Sequence, residues 1–183
     1  MVRKVTLSVK IQAKVNFEGM GAKPHLIEDG IDVALRVGNV ESLSAVARKV
    51  TSYRHKIVAT PEFIKNYFLP KTPEDLMKMP CATWAKKSNN VSWQLGDNKI
   101  QLSPKIRAND YNVMLEQVLT GQYFTELPPF FCEKKIMLGE LIELLPNYPM
   151  NMLDLQLVYP SRKQLSRIAR VYIDFCLEHY PTR

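Results

Sequence analysis

Hydrophobic and polar residues alternate strictly near the start of the chain. Apolar side chains occupy every second position from Val5 to Val15, which predicts a long strand with one buried face. A short helix is expected over 23–29, with Gly30 in the left-handed position that often follows a helix. Ile31 to Val37 then predict a buried strand, closed by Gly38. A helix that turns directly into an apolar strand is typical of α/β proteins.

The middle of the chain predicts short strands separated by helix starts. Extended segments are expected over 45–51 and 56–60. Thr60-Pro61 predicts a helix to about residue 67, because Thr can cap a helix and Pro fits its first position. Thr72-Pro73 predicts another helical turn in the same way. Further strands are expected over 81–84, 91–95 and 99–102, with a hairpin turn at 96–98.

The remaining third continues the alternation of helix and strand. Asp110 or Asn109 is expected to cap a helix that ends at Gly121. Strands are predicted over 123–127, 141–145 and 154–159, and Ser161 is the expected cap of an amphipathic final helix. This order favours an α/β fold with mostly parallel sheets and helices on both faces. Such sheets bind ligands at the carboxyl ends of their strands, where helix N-termini favour an anion.

Composition narrows the class of protein. The 183 residues, 46% hydrophobic and 23% charged, suffice for one packed domain or two small lobes. The net charge of +7 is compatible with nucleic acid, an anionic ligand or mere solubility, and the basic residues of the last helix fit a solvated face better than a DNA site. The three cysteines are widely spaced without a CxxC, which favours reduced thiols in a cytoplasmic protein. The apolar runs are too short to cross a membrane, and the N-terminus does not read as a signal peptide.

No catalytic or metal-binding motif is present in the sequence. It contains no GxSxG, HExxH, GxGxxG or Walker pattern, and its three histidines are far apart. We therefore expect neither an enzyme nor a cofactor nor a metal. Trp84 and Trp93 flank a polar turn, where they could stack a ligand, although two partly buried aromatics that fix the fold are the simpler interpretation. Thr60 and Asn109 stand at strand-to-helix junctions, where capping alone and a role facing a ligand crevice are both open.

Several segments together carry a family resemblance. From residue 5 onward the chain resembles the effector-binding domain of LysR-type transcriptional regulators, through the order and spacing of its matching pieces. These are LIEDGIDVALRVG (26–38), IVATPEFI (57–64), PEDL (73–76), WQL (93–95), IRAND (106–110), LGELIELLP (138–146), LVYPSR (157–162) and LSRIARVYIDF (165–175).

The resemblance implies a two-lobed, type-2 periplasmic-binding-protein-like fold with a small molecule between the lobes. Lobe one is expected to comprise residues 1–58 and 161–183, and lobe two residues 59–160. The crossings between the lobes are expected near 58–60 and 159–160. By the same resemblance, the effector-binding residues are Arg36, Val37, Gly38, Thr60, Asn109 and Thr125.

Some parts of the family pattern have no counterpart in this sequence. Because residues 5–15 match the second strand of lobe one, we expect the first strand and helix to be absent, together with the helix-turn-helix domain through which the family binds DNA. The family pattern also implies a homodimer or homotetramer. The predicted function is thus the effector-sensing and oligomerising domain of a LysR-type regulator, binding a small and preferably anionic molecule. The alternative is a stand-alone small-solute-binding protein of the same fold.

Overall fold

A computed structural model describes residues 31–38, 45–84, 91–161 and 165–179. The strand predicted over 5–15 and the helix over 23–29 lie outside these residues. The strands are β1 (Ala34–Val37), β2 (Ala45–Tyr53), β3 (Lys56–Ala59), β4 (Ala82–Trp84), β5 (Val91–Leu95), β6 (Asn98–Leu102), β7 (Ile106–Ala108), β8 (Thr125–Leu127), β9 (Ile142–Leu144) and β10 (Leu153–Pro160). The helices are α1 (Pro61–Asn66), α2 (Tyr111–Leu119), α3 (Pro129–Met137) and α4 (Arg167–His179), and a 3₁₀ helix spans Pro73–Lys78.

The fold is built on two three-stranded sheets. In the first, called the β10 sheet, β10 lies between β1 and β2 and pairs antiparallel with both. In the second, called the β3 sheet, β3 lies between β8 and β9 and again pairs antiparallel with both. A parallel bridge between Cys81 and Phe124, with Ala82 N donating to Phe124 O at 2.9 Å, attaches β4 to the start of β8. The parallel partner of β4 is β7, so the second sheet extends in the order β7, β4, β8, β3, β9.

The prediction of mostly parallel sheets is wrong for the described strands, which form five antiparallel pairs and one parallel pair. Some strands joined by a helix do run in the same direction, as β8 and β9 do on either side of α3. They are not neighbours, however, because the oppositely directed β3 lies between them. In the β10 sheet the return of the chain places β10 between β1 and β2. The α/β class itself is confirmed.

The chain passes between the two sheets twice. It leaves the β10 sheet after Tyr53 and enters the β3 sheet at Lys56, so residues 54–55 form the first crossing segment. It returns between Leu144 and Leu153, so residues 145–152 form the second. Both lie several residues before the crossings expected near 58–60 and 159–160. The prediction assigned residues 153–160 to lobe two. In the structure these residues form β10, which pairs with β1 and β2 rather than with any strand of the β3 sheet.

Three hydrophobic clusters hold these layers together. The first lies between one face of the β3 sheet and the β5–β6 hairpin, and includes Ile57, Trp93 and Phe124. The second packs the opposite face of that sheet against α2 and α3, around Val58 and Met114. The third packs the β10 sheet against α4. Ile57 and Val58 are consecutive, which is how one strand supplies both faces of a sheet.

Local capping signals explain most helix starts. Thr60 Oγ1 accepts a hydrogen bond from Phe63 N at 3.2 Å, and Asp110 rather than Asn109 caps α2 by accepting from Asn112 N at 2.7 Å. Helix α3 is not predicted from the sequence, because Pro128 and Pro129 are typical of a strand stop; in the structure Pro128 precedes the helix and Pro129 is its first residue. The expected cap at Ser161 is wrong. Helix α4 begins at Arg167, and the hydroxyl of Ser166 accepts from Ala169 N at 3.1 Å.

Candidate functional site

The predicted residues Arg36, Val37 and Gly38 lie at the end of β1 beside the start of β10. Arg36 pairs with Gln156 and Val37 with Leu155 in the antiparallel register. Gly38 has a φ of 86°, which favours glycine, and its N donates to Asp154 O at 2.9 Å. Its carbonyl accepts from Gln156 Nε2, also at 2.9 Å. The turn at Gly38 is therefore fixed to the strand that emerges from the second crossing segment.

Charged groups gather at the same end of the β10 sheet. Asp154 accepts a hydrogen bond from Ser52 Oγ at 2.6 Å and forms an ion pair with Lys49 at 2.9 Å. These contacts with Ser52 and Lys49 lower the pKa of Asp154. Strand β1 ends at Val37, opposite Leu155, and β2 ends at Tyr53, opposite Leu153. Both strands therefore finish where the chain crosses into the β3 sheet.

Asn109 lies at the corresponding end of the β3 sheet. It follows β7, which runs parallel to β4, and β4 in turn runs parallel to the start of β8. Since β8 is antiparallel to β3, the carboxyl ends of β4, β7 and β8 lie beside the amino end of β3. A direct contact supports this placement. The hydroxyl of Tyr111, the first residue of α2, is 3.5 Å from Nε2 of His55 in the first crossing segment.

An aromatic group surrounds His55 at this end. Its ring stacks on Tyr53 with centroids 5.7 Å apart and meets Tyr111 edge-on at 5.2 Å. Phe130, at the start of α3, meets Tyr53 edge-on at 5.7 Å. Burial lowers the pKa of His55 to about 4, so the imidazole is neutral at physiological pH. His55 of the first crossing segment thus contacts the start of α2, and Tyr53, the last residue of β2, contacts the start of α3.

Thr60 lies at the other end of the β3 sheet. It follows β3 and is only 8% exposed, and a Cβ built on Gly121 would be 3.4 Å from its Oγ1. Gly121 follows the C-terminus of α2, whereas Asn109 precedes its N-terminus. A nine-residue helix is about 14 Å long, so roughly that distance separates Thr60 from Asn109. The structure therefore does not bring these two predicted site residues together.

Thr125 is a core residue of the β3 sheet. It pairs with Val58 in the middle of β3 and is fully buried. Its hydroxyl lies 3.5 Å from Glu126 O. Four of the six predicted effector residues lie at the sheet ends that face the crossing segments: Arg36, Val37, Gly38 and Asn109. Thr60 and Thr125 do not. The effector-binding role of all six stays a prediction.

Glu126 is an ionisable residue buried in the β3 sheet. Its side chain is only 4% exposed, and Oε1 accepts a hydrogen bond from Trp84 N at 2.9 Å. Burial raises the pKa of Glu126 to about 8, against the opposing effect of the Trp84 hydrogen bond. Among the described residues, Oε2 has no hydrogen-bond partner, and the same holds for Oγ1 of the buried Thr83 on the neighbouring strand. The carboxyl group is therefore neutral over most of the physiological range.

Sequence reasoning missed this polar and aromatic group. The three histidines, far apart in the sequence, predict no site at His55, and no role is predicted for Glu126. The sequence held one signal for Glu126, a single acidic residue inside the short apolar strand Tyr123–Leu127. No comparable signal marks His55, because Tyr111, whose hydroxyl it meets, lies 56 residues further along the chain.

Two classes of site are not found in the described ranges. Within residues 31–38, 45–84, 91–161 and 165–179, no three His, Cys, Asp or Glu side chains group closely enough to hold a metal ion. In the same ranges, every helix is too short or too polar to span a bilayer.

Comparison with solved structures defines the class of this fold. The chain superimposes on the regulatory domain of CrgA, a LysR-type transcriptional regulator from Neisseria meningitidis, with a TM-score of 0.76 and 26% sequence identity. The match covers 84% of this chain and 78% of that one. A family model described as the LysR substrate binding domain matches residues 11–181. The chain belongs to this family.

Curated relatives agree with that assignment. The HTH-type transcriptional regulator DmlR of Escherichia coli (strain K12) is 27% identical over 181 residues, which cover 93% of this chain and 58% of the relative. An uncharacterized HTH-type transcriptional regulator of Haemophilus influenzae is 30% identical over 148 residues, covering 78% of this chain and 51% of the relative. These relatives are transcriptional regulators. The chain spans a little over half their length.

Proposed function

We propose that this chain is the sensing part of a LysR-type transcriptional regulator and binds a small effector between two lobes. One lobe comprises the β10 sheet with α4, and the other comprises β3 to β9 with α1 to α3. The crossing segments 54–55 and 145–152 join them. The observation that carries the proposal is that β1 and β2 of one sheet, and β4, β7 and β8 of the other, all end towards these crossings. Ligands of α/β sheets bind outside such strand ends.

The effector site we propose uses Arg36, Val37 and Gly38 from the first lobe and Asn109 from the second. Arg36 is half-buried near the end of β1, and its guanidinium group favours a carboxylate or phosphate of the effector. The N-termini of α2 and α3 follow β7 and β8 at the facing end and favour the same charge. In this assignment Thr60 caps α1 and Thr125 packs the sheet.

The regulatory consequence follows from the position of the crossings. A ligand that contacts both lobes binds one lobe arrangement more tightly than others and shifts the population towards it. In a homodimer or homotetramer, that shift would change the spacing of helix-turn-helix domains carried outside this chain, in the cytoplasm. DNA contact and oligomerisation belong to the proposed whole protein. The stand-alone solute-binding alternative is not carried forward, because the relatives above are regulators.

A thermal-shift screen tests the proposal. Small carboxylates, amino acids, aromatic acids and phosphates are each added in excess to the purified chain. A ligand at about a hundred times its dissociation constant stabilises the folded state by roughly 2.7 kcal/mol, which is readily measured. We expect a carboxylate or phosphate to raise the melting temperature, and Arg36→Gln to remove most of that shift.

Arg48→Gln provides the matched control, because Arg48 is an exposed arginine on β2 of the same sheet. The control should keep the full ligand shift. If no anion stabilises the wild-type chain, or if both arginine variants lose the shift equally, the proposed site is wrong.

A further inference from the structure

A small cavity lies between the β5–β6 hairpin and the two crossing segments. Its volume is about 170 Å³. Trp93, only 4% exposed, contributes a small part of its surface to the lining, whereas Ser92 and Asn151 are exposed and lie at its mouth. The remaining lining residues are half-buried: His55, Gln94, Met150 and Leu153. The cavity thus combines buried and half-buried side chains with an opening to solvent.

The walls of this cavity are tied together by backbone contacts. Leu95 and Met150 form an antiparallel bridge, and Gly96 N donates to Pro149 O at 2.9 Å. Gln94 Nε2 donates to Gly96 O at 2.8 Å, which fixes that side chain along the hairpin. The hairpin and the second crossing segment are therefore held in register. A preformed cavity of this kind binds a ligand without a large ordering cost.

None of the seven described lining residues carries a charge at neutral pH. Six are uncharged by type, and the neutral imidazole of His55 is the seventh. This differs from the crossing end of the β10 sheet, where Lys49 and Asp154 are charged. A charged guest would lose its hydration here without gaining a counter-charge from these residues, which is costly. The cavity therefore favours neutral molecules over anions.

We propose that this cavity is a second binding site, for a small uncharged aromatic molecule that carries a hydroxyl or amide group. The half-buried imidazole of His55 offers a ring edge or face against which an aromatic ring can pack, and Met150 and Leu153 add apolar contacts. Ser92, Gln94 and Asn151 supply hydrogen-bonding groups near the mouth. An apolar cavity of about 150 Å³ suffices for benzene, so a single substituted ring fits.

The second site is distinct from the proposed effector site, but His55 lines the second site and also contacts the start of α2 beside the effector site. One side of His55 lines the cavity, and its Nε2 is 3.5 Å from the hydroxyl of Tyr111 at the start of α2. Met150 and Asn151 come from the second crossing segment, and Leu153 is the first residue of β10. A bound molecule would thus touch both crossing segments and the hairpin at once.

Phenol and benzoate are suitable probes, because they share a ring and differ in charge at pH 7. Titrations are followed by NMR through the indole N–H signals of the isotope-labelled chain, which contains two tryptophans. Trp84→Phe identifies the Trp93 signal. We expect phenol to shift the Trp93 signal saturably and benzoate to bind at least tenfold more weakly.

Two variants locate the binding. Ser92→Phe places a ring in the mouth of the cavity and should reduce phenol affinity at least tenfold. Gln101→Phe is the matched control, since Gln101 is exposed and pairs with Ser92 across the hairpin without lining the cavity. If Ser92→Phe does not fold, Asn151→Phe places the ring at the other exposed lining residue.

Three results would overturn the proposal. They are a Trp93 signal that phenol does not shift saturably, equal affinities for benzoate and phenol, and a mouth variant that binds phenol as tightly as Gln101→Phe does. None of them bears on the anion screen described above, so the second site and the effector site are tested separately.

Discussion

The hydroxyl of Tyr111 lies 3.5 Å from Nε2 of His55, so the first residue of α2 contacts the segment in which the chain passes between its two sheets. Their rings also meet edge-on, with centroids 5.2 Å apart. Asn109 precedes this contact by two residues. A ligand that displaces the start of α2 therefore acts directly on a crossing segment, which is the mechanical link that an effector domain requires.

Acid should destabilise the protein through His55. Burial lowers the pKa of His55 to about 4, whereas an unfolded chain titrates near 6.5. Between these values the unfolded state binds a proton that the folded state excludes, so stability is lost as the pH falls from about 6.5 towards 4. The loss is at most about 3 kcal/mol. Urea unfolding at several pH values measures it.

The variant His55→Phe keeps an aromatic ring against Tyr53 and removes the titration. It should lose less stability than the wild type between pH 6.5 and pH 4. His179→Phe is the control, since His179 is exposed on α4 and should leave the wild-type acid dependence intact. Identical acid dependence in His55→Phe and the wild type would contradict this account.

A rise in pH should destabilise the folded protein through Glu126. Burial raises the pKa of Glu126 to about 8, so folding favours the protonated carboxyl group. The stability it contributes is fully present below about pH 4.5 and is lost as the pH rises through 8. Glu126→Gln should therefore be more stable than the wild type at pH 8, by up to several kcal/mol, and comparable with it at pH 4.

The measurement is again the free energy of unfolding in urea, now compared at pH 4 and pH 8. Glu116→Gln, at an exposed position on α2, should follow the wild type at both values. A Glu126→Gln variant that is destabilised at pH 8 would mean that the carboxylate is stabilised by its surroundings rather than penalised.

A comparison of Gly121→Ala with Gly139→Ala distinguishes backbone strain from steric crowding near Thr60. Gly121 and Gly139 both have a φ of 73°, so an alanine at either is strained by about 1 kcal/mol. A Cβ at Gly139 has no neighbour within 4 Å, whereas one at Gly121 would lie 3.4 Å from both Thr60 Oγ1 and Glu62 Oε2. Gly121→Ala should therefore lose at least as much unfolding free energy as Gly139→Ala. A clearly smaller loss would show that the contact with Thr60 is looser than described.

Local features of this fold were predictable from short stretches of sequence. Thr60 and Asp110 could be recognised as caps because a cap needs only the three or four residues that follow it. The hairpin around Gly96, with a φ of 57°, followed from its turn residues in the same way. The family resemblance then supplied the class of fold.

Features that depend on long-range pairing were not predictable in this way. The direction of β3 is set by partners about 70 to 90 residues further along the chain, and that direction decides that Thr60 lies far from Asn109. Treating both residues as strand-end groups assumed parallel strands. The cavity was also invisible in the sequence, because His55, Trp93 and Asn151 come from three separate segments.

The most direct test of the effector site compares Asn109 with Thr60. Using the anion found in the thermal-shift screen, calorimetric titration gives its dissociation constant for Asn109→Ala and Thr60→Val. Thr60→Val loses the cap of α1 and about 1 kcal/mol of stability, but its affinity should stay within twofold of the wild type. Asn109→Ala should bind at least tenfold more weakly, with Asn66→Ala as a control on an exposed asparagine of α1. If Thr60→Val abolishes binding while Asn109→Ala retains it, the ligand lies at the opposite end of the β3 sheet and the account is wrong.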